Sequence, residues 1–394
     1  MKKRVLMLAS VASMIDQFNM PNIRLMQDEG YQVHVACNFE EGNTCDVRRI
    51  QQLKDMLHQL GVRQHQWDCP RKLYPPWRWL RAYRQLWNLT KRYHFAWIHC
   101  HSPVGGVLAR AAAHQRGIAV IYTAHGFHFY RGAPFRNWLL YYPVEKLLSG
   151  WTDVLVTINQ EDYQLAGRSM RAGKVYYIPG IGIDTVKFQR LPGAENEARA
   201  VQDGERSEIR SRYGIPEDAL LLLSVGELSR RKNHQAVIKA LAGIGRTDIY
   251  YLICGQGALH KELWQLTGRL GVADRVIMPG FQQNMAGLYH SADIFVFPSL
   301  QEGMPAALME AMAAGLPCVV SDIRGSRELI DQWGGIKFLV TDIGRLKDAI
   351  LYFADHPEER GLCGRHNQEI ITGYSMETVQ NQMRMIYEDM KKYQ

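Results

Sequence analysis

Short apolar segments alternate with helix-forming segments along the chain, and this alternation limits the folds that it can adopt. In the first half, the pattern predicts helices at residues such as 103–115 and 138–148, and strands at 4–9, 32–36, 96–100, 119–123, 154–158 and 175–178. Strands that alternate with helices form a parallel sheet covered by helices on both faces. The first half is therefore predicted to be a doubly wound α/β domain.

A second alternating segment follows a polar, aperiodic stretch at residues 191–206, which is typical of a linker. Its predicted helices lie at 234–244 and 260–270, and its predicted strands at 220–225, 250–254, 275–278 and 294–298. We therefore expect two Rossmann-like domains, at residues 1–190 and 191–375. A ligand-binding cleft between them is the arrangement that this pattern implies.

Charge is distributed unevenly over the 394 residues, which carry a formal net charge of +8. Residues 1–190 hold 25 Lys and Arg against 13 Asp and Glu, whereas residues 191–394 hold 22 against 26. Residues 69–144 contain eleven Lys and Arg and no acid. Such an excess of positive charge favours a polyanionic partner, either nucleic acid or an anionic membrane surface.

The amino terminus imitates a signal peptide, because basic residues precede an apolar run that ends in small side chains. The apolar part is short and Asp16 follows it closely, so a buried first strand at residues 4–9 is the preferred interpretation. No apolar run approaches the roughly 18–20 residues that span a bilayer. Seven scattered cysteines without a C-x-x-C motif indicate reduced thiols, which suit a cytoplasmic protein.

Cofactor motifs are incomplete. A zinc site at His99, Cys100 and His101 is disfavoured because neighbouring strand residues point to opposite faces of a sheet. Gly255 and Gly257 follow a predicted strand, but the third glycine of the dinucleotide fingerprint is missing. The chain also lacks a D-x-D triplet that would hold a divalent metal against a diphosphate. The sequence therefore predicts neither a metal site nor an NAD site.

Two carboxylates eight positions apart, Glu302 and Glu310, stand around a predicted helix start. Pro305 suits the first helical position because it has no N–H to satisfy, and Gly303 lets a ligand approach the backbone. The free N–H groups and positive dipole end of such a helix suit a phosphate, and a carboxylate further along can bind the diol of a ribose. The structural alternative is a surface helix with solvated carboxylates, whose Met304 and other apolar side chains pack inward.

Three cations, Arg230, Arg231 and Lys232, lie between the predicted strand at 220–225 and the predicted helix at 234–244. At the carboxyl end of a strand, cations can neutralise a diphosphate and stabilise it as a leaving group. For the two arginines, a solvated basic turn is the structural alternative.

Two histidines, His125 and His128, follow the predicted strand at 119–123. We expect His125 at the carboxyl end of that strand, where a neutral imidazole can position a sugar hydroxyl. The alternative is a structural histidine. For His128 the two interpretations are equally favoured.

Residues 301–317 resemble the E-x7-E signature of the retaining family 4 glycosyltransferases, which have the GT-B fold. Residues 225–233 (Val-Gly-Glu-Leu-Ser-Arg-Arg-Lys-Asn) resemble the family's glycine-to-lysine phosphate loop, and residues 123–128 (Thr-Ala-His-Gly-Phe-His) its acceptor-side histidine segment. Further similar segments occur in the family's order at 253–257, 278–281, 292–299 and 321–328. The resemblance covers nearly the whole chain and points to bacterial capsule and exopolysaccharide glycosyltransferases.

The resemblance implies transfer of a hexose or N-acetylhexosamine from a nucleotide sugar, expected to be UDP-linked, to a lipid-linked saccharide. It implies retention of the anomeric configuration and no metal ion or other cofactor. The enzyme would work in the cytoplasm, as a peripheral protein at the inner face of the cell membrane. By the same resemblance, residues 376–394 form a helix that packs back on the first domain.

Site roles follow from the resemblance residue by residue. It assigns catalytic roles to His125, Lys232 and Glu302. It assigns nucleotide-sugar contacts to Gly226, Arg230, Arg231, Lys232, Gly280, Phe281, Glu302, Gly303, Met304, Pro305 and Glu310.

Two positions depart from the family's pattern. Glu227 stands where the family often has an arginine, so Arg230 or Arg231 would replace that cation. The loop at residues 10–16 lacks the family's Gly-Gly pair. A nucleotide-sugar epimerase, a soluble-acceptor synthase of the same fold and a non-catalytic polyanion-binding protein therefore remain alternatives.

Aromatic and basic side chains interleave without an acid at residues 70–87. Trp and Tyr favour the bilayer interface and Lys and Arg favour anionic lipid, although single-stranded nucleic acid suits the same composition. The structural alternative is a helix that packs one side inward, formed by Trp77, Leu80, Tyr83 and Trp87. Because a lipid-linked acceptor lies at the membrane, we predict contact with an anionic membrane through residues 70–92, and no nucleic-acid partner.

Overall fold

Two structural units, each built on its own parallel sheet, make up the chain. The computed structural model describes residues 2–43, 45–70, 76–190 and 197–393. The first unit comprises Met1–Ile181 together with Glu377–Gln394, and the second comprises Gly182–Met376. Both units have the predicted doubly wound α/β architecture. The division at Ile181 lies nine positions before the boundary expected from the sequence.

The first unit contains a seven-stranded parallel sheet. Its strands are β1 (Arg4–Val11), β2 (Gln32–Asn38), β3 (Arg63–Gln66), β4 (Trp97–His101), β5 (Ala119–Ala124), β6 (Val154–Thr157) and β7 (Lys174–Tyr177). Their order in the sheet is β3-β2-β1-β4-β5-β6-β7. The apolar run that imitates a signal peptide is β1, which pairs with both β2 and β4, and its residues 5–9 are fully buried.

The connecting segments of the first unit are helical. The helices are α1 (Ala12–Met14), α2 (Met20–Asp28), α3 (Val47–Gln59), α4 (Pro76–Tyr93), α5 (Pro103–Arg116), α6 (Phe135–Ser149) and α7 (Gln160–Ser169), with a π-helical turn at Ile15–Asn19. Helices α4, α5 and α6 contribute to one core cluster with Leu6, Ile98 and Tyr122. Alternate residues of a strand face the same side of a sheet. These three helices therefore cover one face of the sheet.

The second unit contains a six-stranded parallel sheet. Its strands are β8 (Leu220–Val225), β9 (Ile249–Cys254), β10 (Val276–Gly280), β11 (Ile294–Phe297), β12 (Cys318–Ser321) and β13 (Gly335–Phe338). Their order is β10-β9-β8-β11-β12-β13. From β8 the sheet extends to β9 and β10 on one side and to β11, β12 and β13 on the other. The order of the strands therefore reverses between β8 and β11, and this pair is the switch point where ligands of such sheets bind.

Nine helices are described in the second unit: α8 (Thr185–Phe188), α9 (Glu197–Arg212), α10 (His234–Ile244), α11 (His260–Arg269), α12 (Met285–Ser291), α13 (Ala306–Ala313), α14 (Arg324–Leu329), α15 (Ile343–Asp355) and α16 (Pro357–Ile371). A 3₁₀ turn at Thr372–Tyr374 leads to α17 (Met376–Asp389), and a second one follows at Met390–Tyr393. Within the described residues, no helix is both long enough and apolar enough to cross a membrane.

Helix α17 belongs with the first unit. Its Tyr387 is fully buried and stacks on Trp97 of β4, with ring centroids 5.4 Å apart. The Tyr387 hydroxyl lies 3.0 Å from Nδ1 of His99. Burial of aromatic side chains contributes strongly to the free energy of folding. The stacking of Tyr387 on Trp97 therefore anchors α17 on the first sheet.

The linker interpretation of residues 191–206 is wrong for the part that the structure describes, because α9 begins at Glu197. Residues 191–196 lie outside the described residues. Arg206 and Arg210 of α9 both reach Asp293, at 2.9 and 2.7 Å. A polar helix with one anchored face shows no apolar period, and for this reason the sequence resembled a linker.

Arg210 of α9 is a completely enclosed cation. Its side chain is 0% exposed, and its guanidinium donates to the carbonyls of Ser291, Pro216, Glu217 and Ala219 as well as to Asp293. All of these acceptors lie in the second unit. The guanidinium therefore ties α9 to the start of β8 and to the segment before β11.

We expect Arg210→Ala to destabilise the second unit by about 3–5 kcal/mol, since Asp293 loses the buried one of its two arginine partners and several carbonyls lose their donor. Arg212→Ala is the matched control, because Arg212 makes an exposed i, i+4 pair with Glu208 that contributes only about 0.3–0.5 kcal/mol. Urea unfolding of both variants measures the difference. Equal unfolding midpoints would show that Arg210 does not anchor α9.

Candidate active site

Two loops meet at the carboxyl ends of β8 and β11. These strands are neighbours, with Leu222 opposite Ile294. The Leu300 N–H donates to the Arg231 carbonyl at 2.8 Å, and the Asn233 side chain donates to the Pro298 carbonyl at 3.2 Å. The loop after β8 and the loop after β11 are therefore bound to each other along their length.

This junction brings Lys232 and Glu302 into direct contact. Glu302 Oε1 lies 2.8 Å from Lys232 Nζ and 2.6 Å from Arg231 Nη1. The side chains of Lys232 and Glu302 are only 12% and 11% exposed, whereas Arg231 is 45% exposed. Arg230 is exposed on the same loop. The three cations that the sequence grouped together thus differ sharply in burial.

Burial and charge act on Lys232 in opposite directions. Desolvation lowers the pKa of its ammonium group below the ordinary value, and the carboxylate of Glu302 partly offsets this shift. The ammonium also lies 4.9 Å from the ring centroid of Phe297 in β11, where the negative ring face attracts a cation. Lys232 is held as a nearly buried cation by one carboxylate and one aromatic ring.

Gly226 makes room for this lysine. A Cβ at position 226 would lie 3.0 Å from Cε of Lys232, which is tighter than ordinary packing. The side chain of Lys232 therefore lies directly along the backbone of the loop. Gly226 contributes to the site by allowing this approach.

Gly255 and Gly257 support the same loop from behind. The N–H groups of Gly226 and Leu228 donate to the carbonyls of Cys254 and Gln256, both at 2.9 Å. A Cβ at Gly255 would lie 1.9 Å from the Gly226 oxygen, and one at Gly257 would lie 2.4 Å from the Leu228 oxygen. These two glycines allow close packing of backbone segments. This role explains why they occur without the third glycine of a dinucleotide-binding fingerprint.

Gly280 and Phe281 lie at the end of β10. The Gly280 carbonyl accepts the Gly255 N–H at 2.9 Å, and Gly280 has a φ of +80°, a conformation that favours glycine. Phe281 is 69% exposed. Both residues therefore belong to the same sheet edge as the loop after β8, with β9 between.

Helix α13 starts just after Glu302. Pro305 is its N-cap residue, with φ −83° and ψ 107°, and not its first helical residue as expected. Its carbonyl accepts the N–H groups of Leu308 and Met309, at 3.1 and 3.2 Å. Met304 is buried, and Gly325 of α14 packs so closely that a Cβ there would lie 2.5 Å from the Gly303 oxygen.

Helix α13 ends at a glycine in the left-handed conformation. Gly315 has a φ of +73°, and its N–H donates to the Met312 carbonyl at 3.0 Å. The Leu316 N–H donates to the Ala311 carbonyl at 3.1 Å. These two bonds form a Schellman motif.

Glu310 lies in the second turn of α13 and is half-buried. Its Oε2 accepts a hydrogen bond from the Tyr289 hydroxyl at 2.8 Å. Burial raises the pKa of the Glu310 carboxyl, and the Tyr289 hydroxyl opposes this shift. Tyr289 is a site residue that the sequence analysis missed, since an isolated tyrosine in α12 carries no motif signal.

Arg324 is a second site residue without an assigned role in the sequence analysis. Its guanidinium contacts the Glu302 carbonyl at 3.4 Å through both Nε and Nη2, and its side chain is buried. The signal was present, because residues 321–328 were recognised as a similar segment. Arg324 therefore supports the backbone of the Glu302 loop from α14.

In the first unit, the half-buried His125 contacts His101, which lies next to a second buried histidine, His99. Its Nε2 lies 3.0 Å from Nδ1 of His101. His99, two residues before His101, binds Thr123 through Nε2 at 2.8 Å. Cys100 points to the other face, where its thiol donates to the Ile121 carbonyl. Cys100 therefore faces away from His99 and His101. Among the residues that the structure describes, no three or more His, Cys, Asp or Glu side chains form a group that could hold a metal ion.

Burial keeps these imidazoles neutral. It lowers the pKa of His125 to about 4 and that of His99 to about 3. The pKa of His101 is also lowered well below its ordinary value, first by burial and then by the neighbouring histidines. His128 lies apart from this group, and its ring packs on Tyr141 at 4.7 Å.

The expected loop at residues 10–16 is largely helical. Ser10 and Val11 end β1, α1 follows directly, and Asp16 pairs with Arg49 of α3 at 2.7 Å. Ser10 also hydrogen-bonds Ser102 through their hydroxyl groups. Small side chains allow the chain to turn into a helix here without a Gly-Gly pair.

The acid-free segment contains α4, and residues 71–75 of it lie outside the described residues. The structural alternative for α4 is wrong for Trp77 and Leu80, because the most buried side chains of this helix are those of Ala82, Leu86 and Thr90. It holds for Tyr83, which is partly buried against the core. Trp77 and Leu80 are 65% and 49% exposed. Small and aliphatic residues pack closer to the sheet than the bulky aromatic ones.

Comparison with known proteins agrees with this geometry. Residues 20–180 match the glycosyl transferase 4-like domain, and residues 205–369 match the glycosyl transferases group 1 family. EpsD of Bacillus subtilis, named as a glycosyltransferase, is 36% identical over 376 residues, covering 94% of this chain and 91% of EpsD. The chain belongs to the family 4 glycosyltransferases.

Solved glycosyltransferases share the fold of this enzyme. Anabaena HepE in complex with UDP superimposes with a TM-score of 0.76 at 18% identity, covering 99% of this chain and 100% of HepE. WaaG, a glycosyltransferase involved in lipopolysaccharide biosynthesis, gives a TM-score of 0.72 at 18% identity, with 97% and 99% coverage. The glycosyltransferase therefore has the GT-B fold that its sequence predicted.

A further relative is named by its reaction. The UDP-Gal:α-D-GlcNAc-diphosphoundecaprenol α-1,3-galactosyltransferase of Escherichia coli is 26% identical over 320 residues, covering 79% of this chain and 80% of that enzyme.

We expect Gly255→Ala to displace the loop at residues 226–228, because the added methyl group overlaps the Gly226 carbonyl. The variant should lose transferase activity, and hydrogen exchange should speed up at the amides of residues 226–232. Gly268→Ala in α11 is the control, since a Cβ there meets no atom within 4 Å. Unchanged exchange at the loop in Gly255→Ala would show that the glycine is not needed for its position.

Proposed function

We propose that this glycosyltransferase moves a hexose or N-acetylhexosamine from a UDP-sugar to a lipid-linked saccharide during synthesis of a bacterial surface polysaccharide. The observation that carries the proposal is the buried Lys232–Glu302 pair, held beside the amino terminus of α13 at the switch point of the second sheet. The printed reaction of the Escherichia coli relative and the UDP complex of HepE support the donor and acceptor classes.

The diphosphate of the donor binds at Lys232 and the start of α13. When the bond to the sugar breaks, negative charge grows on the leaving diphosphate. A preformed cation and free helix N–H groups stabilise that charge without reorganising at the moment of reaction. Arg231 and exposed Arg230 supply further positive charge, since Glu227 cannot. The proposal needs no divalent metal, in agreement with the missing D-x-D triplet.

Glu302 has two tasks in this proposal. Its Oε1 holds Lys232 and Arg231 in place, and its Oε2 accepts hydrogen bonds from hydroxyl groups of the donor sugar. The ion pair keeps Lys232 charged even though burial lowers the pKa of its ammonium group. The remaining contacts with the donor are made by Gly280, Phe281, Gly303 and Met304.

Glu310 binds the ribose diol of the nucleotide. A carboxylate accepts both hydroxyl hydrogens of a vicinal diol, and Tyr289 fixes the orientation of this carboxylate through Oε2. The hydrogen bond from Tyr289 also opposes the rise in pKa that burial causes, so it favours the ionised form that accepts hydrogen bonds.

His125 positions a sugar hydroxyl through Nδ1. His101 Nε2 is buried and has no hydrogen-bond partner among the described residues, so a proton on that atom would be an unsatisfied donor. The proton of His101 is therefore assigned to Nδ1, which donates to His125 Nε2. His125 then carries its own proton on Nδ1 and offers it as a donor.

The acceptor hydroxyl attacks from the face of the sugar that the diphosphate leaves, and the configuration is retained. The departing phosphate oxygen takes the proton of the hydroxyl, so no separate protein base is required.

The acceptor lipid places the enzyme as a peripheral protein at the inner face of the membrane, with α4 as a contact. Two α4 arginines already have acidic partners, since Arg78 pairs with Glu41 and Arg81 with Asp68.

We expect Lys232→Ala to lower turnover by about 100- to 1,000-fold while the protein stays folded, because transition-state charge loses its nearest cation. Release of UDP from UDP-sugars, with product analysis, measures this effect and separates transfer from epimerisation. Lys239→Ala is the control, since Lys239 is exposed on α10. Full turnover in a folded Lys232→Ala enzyme would refute the role.

A further inference from the structure

The outer side of α6 is mainly apolar, with Arg136 as an exposed charged residue near its amino-terminal end. Its five large apolar side chains there are Phe135, Leu139, Leu140, Val144 and Leu147, with exposed fractions of 80%, 64%, 62%, 44% and 59%. Leu139 and Leu140 are adjacent and the other successive pairs are three or four residues apart, which places the five side chains on one half of the helix circumference. We call this set the α6 apolar face. The helix has 15 residues, so this face is about 22 Å long.

The acidic group of α6 points inward instead. Glu145, the only acid of this helix, pairs with Arg110 of α5 at 2.8 Å, and Arg110 is 1% exposed. Tyr122 of β5 also contacts Glu145 through its hydroxyl group. A surface helix in water normally shows the opposite arrangement. The α6 apolar face is therefore built for an apolar environment rather than for water.

Cations lie at both ends of the α6 apolar face, and one carboxylate, that of Glu161 in α7, accepts the Arg131 N–H at 2.7 Å. Arg131 and Arg136 are exposed at its amino-terminal end, and Lys146 lies near its other end beside Tyr142. Residues 69–144 contain no acid, and Glu145 is turned inward. Since no carboxylate of α6 faces outward, this surface complements a negatively charged apolar partner, a description that fits an anionic bilayer.

Helix α4 adds a second exposed surface on the same side of the sheet, with α5 between it and α6. Helix α4 covers the same face of the sheet as α6, and it exposes Trp77 and Leu80 together with several arginines. Tryptophan is enriched at the level of lipid headgroups. Helix α4 thus supplies interfacial aromatic and basic side chains, whereas the α6 apolar face supplies aliphatic ones.

We propose that the α6 apolar face docks this enzyme on the membrane by inserting into the interfacial layer of a bilayer that contains anionic lipid. The helix lies parallel to the bilayer plane, with its apolar side buried about 5–10 Å into the headgroup and acyl boundary. Arg131 and Arg136 contact lipid phosphates. The purpose of this docking rests on the proposed lipid-linked acceptor, but the binding itself does not.

Co-sedimentation with vesicles of phosphatidylcholine and phosphatidylglycerol tests the proposal. We expect Leu139→Gln/Leu140→Gln to lower the partition coefficient by at least about tenfold, because two aliphatic side chains lose their burial in lipid. Leu362→Gln/Ile370→Gln in α16 is the matched control, since these side chains are 52% and 40% exposed in the second unit. Equal binding of the α6 variant and the native enzyme would overturn the proposal.

A measurement on the native enzyme gives an independent check. We expect hydrogen exchange to slow in residues 131–147 when anionic vesicles are added, and the control segment in α16 to stay unchanged. Slower exchange at α16 with no change at α6 would overturn the proposal. So would a lipid-free dimer, seen by sedimentation velocity, that dissociates in the α6 variant, because a second copy would then cover this face.

Turnover with a soluble acceptor analogue separates this proposal from the proposed function. If docking through α6 is correct, Leu139→Gln/Leu140→Gln retains that turnover while losing vesicle binding. If the native enzyme binds vesicles through α6 but transfers no sugar, the proposed function fails and the docking surface stands.

Discussion

The contact between Lys232 and Glu302 is the constraint on which the donor site depends. Seventy positions separate the two residues in sequence, and they meet because β8 and β11 are adjacent parallel strands whose following loops are hydrogen-bonded to each other. A nearly buried ammonium group is costly unless a carboxylate lies close by. The loop glycines, the start of α13 and the guanidinium of Arg324 all hold this pair in position.

Much of the fold could be predicted because its strands are buried on both faces. Strand β8 and helix α10 match the predicted bounds, since an apolar run and an uninterrupted helical segment leave little choice. Strand β3 was missed because Arg-Gln-His-Gln at a sheet edge has no apolar pattern. The start of α9 was missed for a different reason: its anchor, Asp293, lies more than 80 positions away, and no local pattern reports such a contact.

The candidate site was predictable in its residue types and less so in its contacts. The spacing of Glu302 and Glu310, and the position of Lys232 after a strand, identified the region. The ion pair between Lys232 and Glu302 could not be predicted, because it depends on which strands become neighbours. Tyr289 and His101 were missed as partners of Glu310 and His125, since a hydrogen bond between distant elements leaves no motif.

Calorimetric titration with UDP and with 2′,3′-dideoxy-UDP tests the central claim most directly, namely that the second unit binds the donor nucleotide through Glu310 at the ribose diol. Hydrogen bonds to a charged group contribute about 1.5–3 kcal/mol, so the native enzyme should bind UDP about 10- to 100-fold more tightly than the dideoxy analogue. Glu310→Ala should bind both ligands with the same weak affinity, and Glu369→Ala, at an exposed position of α16, should behave as the native enzyme. Equal affinities of the native enzyme for both ligands would contradict the account.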